Sequence, residues 1–600
     1  MANSCKANIC VVVPVKKTGT DLEKLLFRID KSLNLSYKVL VMDLLSSPRM
    51  EKICKKLKNK LPVEYFNYAG RSLPFKSIFT YILKTIPRES GVITLSETQN
   101  YNGGAINTMA RILQKKDIVT GSRFHKGATR REDKKFSNFL SYIVNRLFWL
   151  LFPIEEVRGY LSDFRMYKVK VIKEFKKSTG NLPFYRCGYT DDLEMFLKLA
   201  YFGVSVKEIE LTCKGKKSGY FSDILKKTAG YIYLIFKLKV EKKIIKQQAP
   251  KKILHIVNIP WYSGLARFAL DMGEVPENLK FGPVFGVVKN SVLYKKSVKK
   301  HTVIGLPGRG TLESLIGAAK LDVCLKRFNI KKIVAHTGSS FFIGTLISIL
   351  TRRPIYRVYA QRGMISDNFL NRWMHKRSRG IIVPTWQLKT KFLQEGWDEE
   401  KVFYLPPVVR KRFSKSRIPD DNRVGIVGRL DKVKGHRILF QALGYIKDKL
   451  NNFELTVVGH EAGITWEELK QCAGKFGISD RVKYIGYIKE DKVPVFMKSC
   501  KLGIVPSLGS EAVSRVALEW MASGRPVLAS AVGCLPEIID SGKNGFLTSP
   551  GKYKLLGKKL HQILNNRQLN VKMAQNAIEC VKKRHSPGVY EKNIGKILNE

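Results

Sequence analysis

The sequence predicts an α/β chain of three successive units, each a parallel sheet whose strands are joined by crossover helices. Three observations carry that expectation. From residue 8, the β-branched runs "NICVVVPV", "YKVLVMDL", "GVITLSE" and "KDIVTGSR" alternate with stretches of helical periodicity. The alternation restarts at Lys251 with "KKILHIVNIP", and again at Asn422 with "NRVGIVGRL". At 600 residues the chain also exceeds what one hydrophobic core organises.

Composition narrows the class. Hydrophobic residues make up 44% of the chain and prolines number 23, which fits a globular protein without a disordered tail. Ten cysteines are scattered, with no Cys-x-x-Cys pair. That argues against a structural zinc site or a secreted disulfide framework and for reduced thiols in a cytoplasm. The opening "MANSCKANICVVVPVKK" reads as a first strand rather than a secretory signal. No run of 18 or more apolar residues marks a membrane span. The 107 Lys and Arg outnumber 50 Asp and Glu, giving a formal net charge of +57. Both halves are basic, so this is no localised nucleic-acid stripe, and no specific nucleic-acid partner is expected. A solvated basic face and attraction to anionic lipid headgroups or phosphorylated acceptors both stay open.

In chain order, residues 1–219 form the first unit. Residues 220–250, "YFSDILKKTAGYIYLIFKLKVEKKIIKQQAP", read as a basic amphipathic helical linker, of a kind that can lie in a membrane interface or pack on its own domain. The stretch "FSNFLSYIVNRLFWLLFP" (136–153) is too polar to span a bilayer and apolar enough to dip into one. Residues 251–408 and 409–600 are the second and third units.

The third unit opens as strand, Gly-Arg loop and helix in "VGIVGRLDKVKGHRILFQAL" (424–443). Ligands of open parallel sheets collect at the carboxyl ends of strands. Arg429, ending a strand, and Lys434, opening the next helix, therefore fall at that crevice. "IVPSLGSEAVSRVALEW" (504–520) repeats the strand, glycine loop and helix, and its loop amides and helix start suit a phosphate. Glu511 and Glu519 stand eight residues apart in it. Glu511 falls in the loop at the helix mouth, and Glu519 about two turns in, roughly 12 Å further along the axis. Two fixed acceptors at that separation suit hydroxyls on a long polyhydroxylated ligand.

These motifs resemble the nucleotide-binding lobe of family 4 (group 1) glycosyltransferases of GT-B fold. The resemblance covers Lys251 to Glu600 and is strongest at 424–547, including "EWMASGRPVLAS" and "GCLPEII". It implies that Arg429 and Lys434 neutralise the donor diphosphate, that Glu519 holds the nucleotide ribose and that Glu511 lies near the transferred sugar. Residues 251–408 would be the acceptor lobe. Gly264 and Arg267, in "NIPWYSGLARFALDM", stand where the family has a Gly-Gly loop. His336, in "KKIVAHTGSSFFIGTLIS", stands where many members carry an active-site histidine. "RVYAQRG" (357–363) lacks the histidine of the family's Thr-x-His-Gly.

Residues 8–215 resemble family 2 glycosyltransferases of the dolichyl-phosphate mannose synthase type, of GT-A fold, through "ICVVVPVKKTGTDLEKLLFRI", "SDFRMYKVKVI" and "DDLEMFLKLAYFGVSVKEIELTCKGKKSGYF". The diagnostic carboxylates are eroded. The usual Asp-Asp-Gly-Ser is "DLLSS", leaving Asp43, and the metal-binding Asp-x-Asp falls on Leu95-Ser96-Glu97, leaving Glu97. One carboxylate is a poor divalent-ion site, since such ions want several hard oxygen ligands. Asp191, Asp192 and Glu194 are open to two readings, acceptor contacts or helix-start charges.

The fold expected is thus α/β throughout: an N-terminal GT-A-like single domain followed by a GT-B pair of Rossmann-like lobes. The resemblance implies retaining glycosyl transfer from a nucleotide-sugar donor to a lipid-linked saccharide or lipopolysaccharide-like acceptor in cell-envelope synthesis, at the inner face of the membrane. It implies no tightly bound cofactor and no divalent metal in the C-terminal module. The N-terminal module is expected to be silent. Two rivals stand beside this: a bifunctional enzyme with both modules active, and a non-enzymatic basic scaffold binding anionic polymer.

Overall fold

A computed structural model describes residues 9–599 apart from 16–20, 68–73, 96–102, 123–134, 155–156, 163, 184–190, 211–220, 275–280, 299, 309–310, 361–364, 367, 411, 415, 451 and 510. The chain divides into two compact units. The first is Met1–Lys252 with Lys295–Ile304 and Ala319–Ile330; the second is Ile253–Tyr294, Gly305–Ala318 and Lys331–Glu600.

In the first unit, β1 (Ile9–Val15), β2 (Tyr37–Asp43), β3 (Val63–Asn67), β4 (Gly91–Thr94), β5 (Ile118–Ser122), β6 (Arg165–Lys168) and β7 (Val206–Glu210) form one sheet in the order 3-2-1-4-6-5-7. Only β6 runs against its neighbours. Every residue of β1 is buried, as a central strand covered on both faces requires. The unit is thus α/β, built on one mainly parallel sheet. The expected linker, however, belongs to the same body. Helix Phe221–Gln248 drives Leu234, Ile235, Leu238 and Ile245 into the first unit's core, at the spacing of one helix face.

Asp43, Asp192 and Glu194 are paired within the fold. Asp43 is fully buried and accepts from the amides of Leu45 (2.8 Å) and Ser47 (2.8 Å) and from the Tyr65 hydroxyl (2.9 Å). Asp192 pairs with Arg165 and accepts from Tyr167 Oη at 2.8 Å. Glu194 takes Lys198 at 2.7 Å and Lys237 at 2.8 Å. Glu97 lies outside the described residues.

The remaining strands form two sheets. β8 (Lys252–Val257), β9 (Gly282–Val288), β10 (Thr302–Leu306), β11 (Ile330–Ala335), β12 (Ile355–Val358), β13 (Gly380–Val383) and β14 (Val402–Tyr404) lie in the order 10-9-8-11-12-13-14. β15 (Arg423–Val427), β16 (Glu454–Val458), β17 (Val482–Gly486), β18 (Leu502–Val505), β19 (Val527–Ser530) and β20 (Gly545–Thr548) lie in the order 17-16-15-18-19-20, parallel throughout. The last helix crosses between the two segments. Helix Pro587–Asn599 buries Tyr590, Ile594, Ile597 and Leu598 with Ile253, Phe268, Val334 and Tyr356, in the core of the 251–408 segment. Those four positions make one helical stripe, which packs into this core.

Buried histidines give the second unit a pH dependence. Burial lowers His585 and His436 from 6.5 to about 4, and burial with the nearby Arg357 charge lowers His375 to about 3. Each is neutral in the folded chain, so the stability it supports is full above pH 6.5 and is lost as pH falls toward the lowered value. The thermal midpoint is expected to drop between pH 6.5 and about 4. His585 alone contributes up to about 3 kcal/mol. Thermal melts followed by tryptophan fluorescence check this: His585→Gln should flatten the dependence, and an unchanged slope would count against it.

Candidate functional site

The site is built where β15 and β18 end. Gly435 makes the approach of their loops possible. Its φ is +73°, and a Cβ there would stand 2.0 Å from the Pro506 carbonyl oxygen. The contact brings Lys434 to the loop after β18, where its Nζ donates to Glu511 Oε1 at 2.5 Å. Ser507 Oγ donates to the same oxygen at 2.7 Å. Glu511 is only 3% exposed, so these two partners supply the contacts that water does not.

Backbone contacts keep Glu511 in the loop ahead of the helix. The Glu511 carbonyl accepts from the Cys534 amide at 2.8 Å, which holds this backbone away from helical pairing. The helix begins only at Arg515 and ends at Ala522. Glu519 is therefore about one turn inside it rather than two turns beyond Glu511. Ser514, at the helix mouth, keeps a buried hydroxyl without a hydrogen-bond partner among the described residues.

Glu519 belongs to a second cluster. Burial raises its pKa, while Arg515, Arg267 and Arg412 act in the opposite direction. Helix Gly264–Glu274 supplies two members of this group. Arg267 Nη1 reaches Glu490 Oε2 at 2.8 Å, and its Nε and Nη2 are buried without a partner among the described residues. Asp271, fully buried, accepts from Arg410 Nε at 2.9 Å and pairs with Arg515. Arg410 also pairs with Glu274 at 2.8 Å. The cluster thus ties the helix bearing Glu519 to the helix that opens at Gly264.

The expected residues therefore fall into separate groups. Lys434 and Glu511 touch. Arg429 shares their loop, but its side chain is 56% exposed and pairs with Asp431 at 3.0 Å. Gly264 opens its helix with free space where a Cβ would be, so packing within the chain does not require a glycine there. His336 lies apart, 1% exposed, with Nε2 at 3.2 Å from His255 Nδ1. Burial and His255 hold its pKa well below the usual value, so it is neutral. Sequence spacing did not reveal Asp271, Arg410, Arg515 or Glu490. Their only signal was charge, within apolar helices for Asp271 and Arg515 and in loops for Arg410 and Glu490, which 157 charged residues make commonplace.

Residues 409–580 match the model of the glycosyl transferases group 1. The matched stretch holds Arg429, Lys434, Glu511 and Glu519; Gly264, His336 and Asp43 lie outside it. Among curated relatives, the 2-deoxystreptamine glucosyltransferase of Streptomyces kanamyceticus is 24% identical over 33% of this chain and 54% of its own length. The lipopolysaccharide core biosynthesis mannosyltransferase LpcC of Rhizobium leguminosarum is 22% identical over 44% of this chain and 77% of its own. The chain spans about half the length of the first, and about two fifths of several others. Among solved structures, Anabaena Alr3699/HepE in complex with UDP and glucose aligns over 58% of this chain and 99% of its own, at 22% identity and a TM-score of 0.50. That likeness is one of fold. The match encloses the Lys434–Glu511 pair and the Glu519 helix, while Asp271 pairs with Arg515 of that helix from outside it.

Proposed function

We propose that the second unit transfers a sugar, with retention of configuration, from a nucleotide-sugar donor to a lipid-linked saccharide or lipopolysaccharide-like acceptor. The observation that carries this is the Lys434–Glu511 pair at the strand ends of the stretch matching the group 1 family. HepE, which shares the fold, is solved with UDP and glucose. On this reading Lys434, Arg429 and the helix start at Arg515 stabilise the departing diphosphate electrostatically, in place of a metal ion. Glu511 faces the transferred sugar and Glu519 the ribose. The unmet donors of Ser514 and Arg267 support a missing anionic or hydroxylated occupant. The first unit is proposed to be silent, because Asp43 is spent on a turn.

Incubating the full chain with a panel of nucleotide sugars and saccharide acceptors tests the proposal. Nucleoside diphosphate release with at least one donor is expected. No release with any donor, together with polyanion binding that collapses in salt, would favour the scaffold alternative. Glu519→Ala should weaken donor affinity about 10–100-fold, the loss expected for a half-buried hydroxyl acceptor. Titration calorimetry measures it, and unchanged affinity would remove the ribose assignment.

A further inference from the structure

The first unit carries an apolar surface that its own fold does not cover. On helix Phe221–Gln248, Ile232, Tyr233, Phe236, Val240 and Ile244 are 49–73% exposed. Their spacing places them on one face, opposite the buried Leu234, Ile235, Leu238 and Ile245. The neighbouring helix Lys135–Leu151 exposes Tyr142, Ile143, Leu147, Trp149 and Leu150. The two helices meet where Phe148 packs edge-on to Tyr231, with ring centroids 6.1 Å apart. Singly exposed apolar residues need no explanation, but two adjacent stripes do.

Charge identifies what covers them. Lys239 and Lys243 are exposed along the first stripe, and Arg146 lies over the Trp149 ring at 4.5 Å in the second. Among residues 229–248 the one acidic side chain, Glu241, is taken by Lys198 at 2.9 Å. A second copy of this surface would bring like charges together, whereas anionic headgroups would neutralise them. Aromatic rings, aliphatic side chains and long cations on one face suit the boundary between headgroups and acyl chains. No helix among the described residues is long and apolar enough to cross a membrane.

We infer that these two helices form a docking surface that lies in the interface of an anionic phospholipid bilayer. Binding needs no donor or acceptor, so its failure would leave the transfer proposal standing, and the reverse also holds.

The test is sedimentation of the full chain with vesicles of equal parts phosphatidylcholine and phosphatidylglycerol, against phosphatidylcholine alone. The anionic vesicles should retain the protein. The double substitution Tyr233→Ser with Phe236→Ser should weaken retention by about tenfold or more, at an unchanged thermal midpoint because both rings are exposed. Lys239→Gln with Lys243→Gln should weaken retention and flatten its salt dependence. Brominated lipid should quench tryptophan emission in the parent chain, and less in Trp149→Phe. Equal retention of the parent and the Tyr233/Phe236 variant would overturn the inference, leaving charge alone. So would quenching unaffected by Trp149→Phe, or substitutions that abolish only a dimer.

Discussion

Lys434→Ala is expected to lower sugar transfer by about 10²–10³, the loss typical when one preorganised charge is removed from a developing oxyanion. The position argues for so large an effect. Lys434 is fixed by the Gly435–Pro506 contact, and its ammonium sits on Glu511 at 2.5 Å. A diphosphate arriving there meets a cation that needs little reorganisation. Arg429→Ala should cost less, because that guanidinium is half-exposed and shared with Asp431. Lys434→Ala also leaves Glu511 buried with only Ser507, at a stability cost of about 1–3 kcal/mol. The pair of losses can be separated. Adding Glu511→Gln to Lys434→Ala should restore stability and leave turnover low. Kinetics and thermal melts on the three variants check this, and recovery of turnover with stability would assign Lys434 a structural role only.

Asp271→Ala is expected to destabilise the second unit by about 3–5 kcal/mol, the penalty for stranding buried charge. Asp271 is fully buried between Arg410 and Arg515, and its loss leaves two guanidiniums facing one another. The exposed pair Lys24–Asp21 provides the contrast: both side chains are in water, and breaking it should leave stability nearly unchanged. Denaturation followed by tryptophan fluorescence suits the measurement, since six of the seven tryptophans lie in the second unit. A loss below that of Asp21→Ala would show that the cluster holds nothing. Because Arg515 opens the helix of Glu519, a weaker donor affinity should accompany the destabilisation.

Local sequence made the strands and one contact legible. β1, β2 and β15 were visible as β-branched runs because central parallel strands are apolar on both faces. The Lys434–Glu511 meeting was foreseeable because each residue follows a strand end in the same sheet. The rest depended on tertiary structure. Asp271, Arg410 and Arg515 come from three distant segments, and no spacing rule joins them. The loop position of Glu511 was legible, but the late start of the next helix at Arg515, which leaves Glu519 about one turn in, was not. The stretch 220–250 showed its amphipathic character but not its allegiance, which packing on the first unit decided. The last helix likewise gave a clean apolar stripe without saying which sheet would receive it.

The central claim is that fixed cations at the ends of β15 and β18 hold a nucleoside diphosphate with no metal between them. Calorimetric titration of the full chain with nucleoside diphosphates, in the presence of a divalent-ion chelator, tests it most directly. Binding that the chelator leaves unchanged and that Lys434→Ala abolishes is the predicted result. Binding that requires a divalent ion, or that survives Lys434→Ala at full strength, would contradict it.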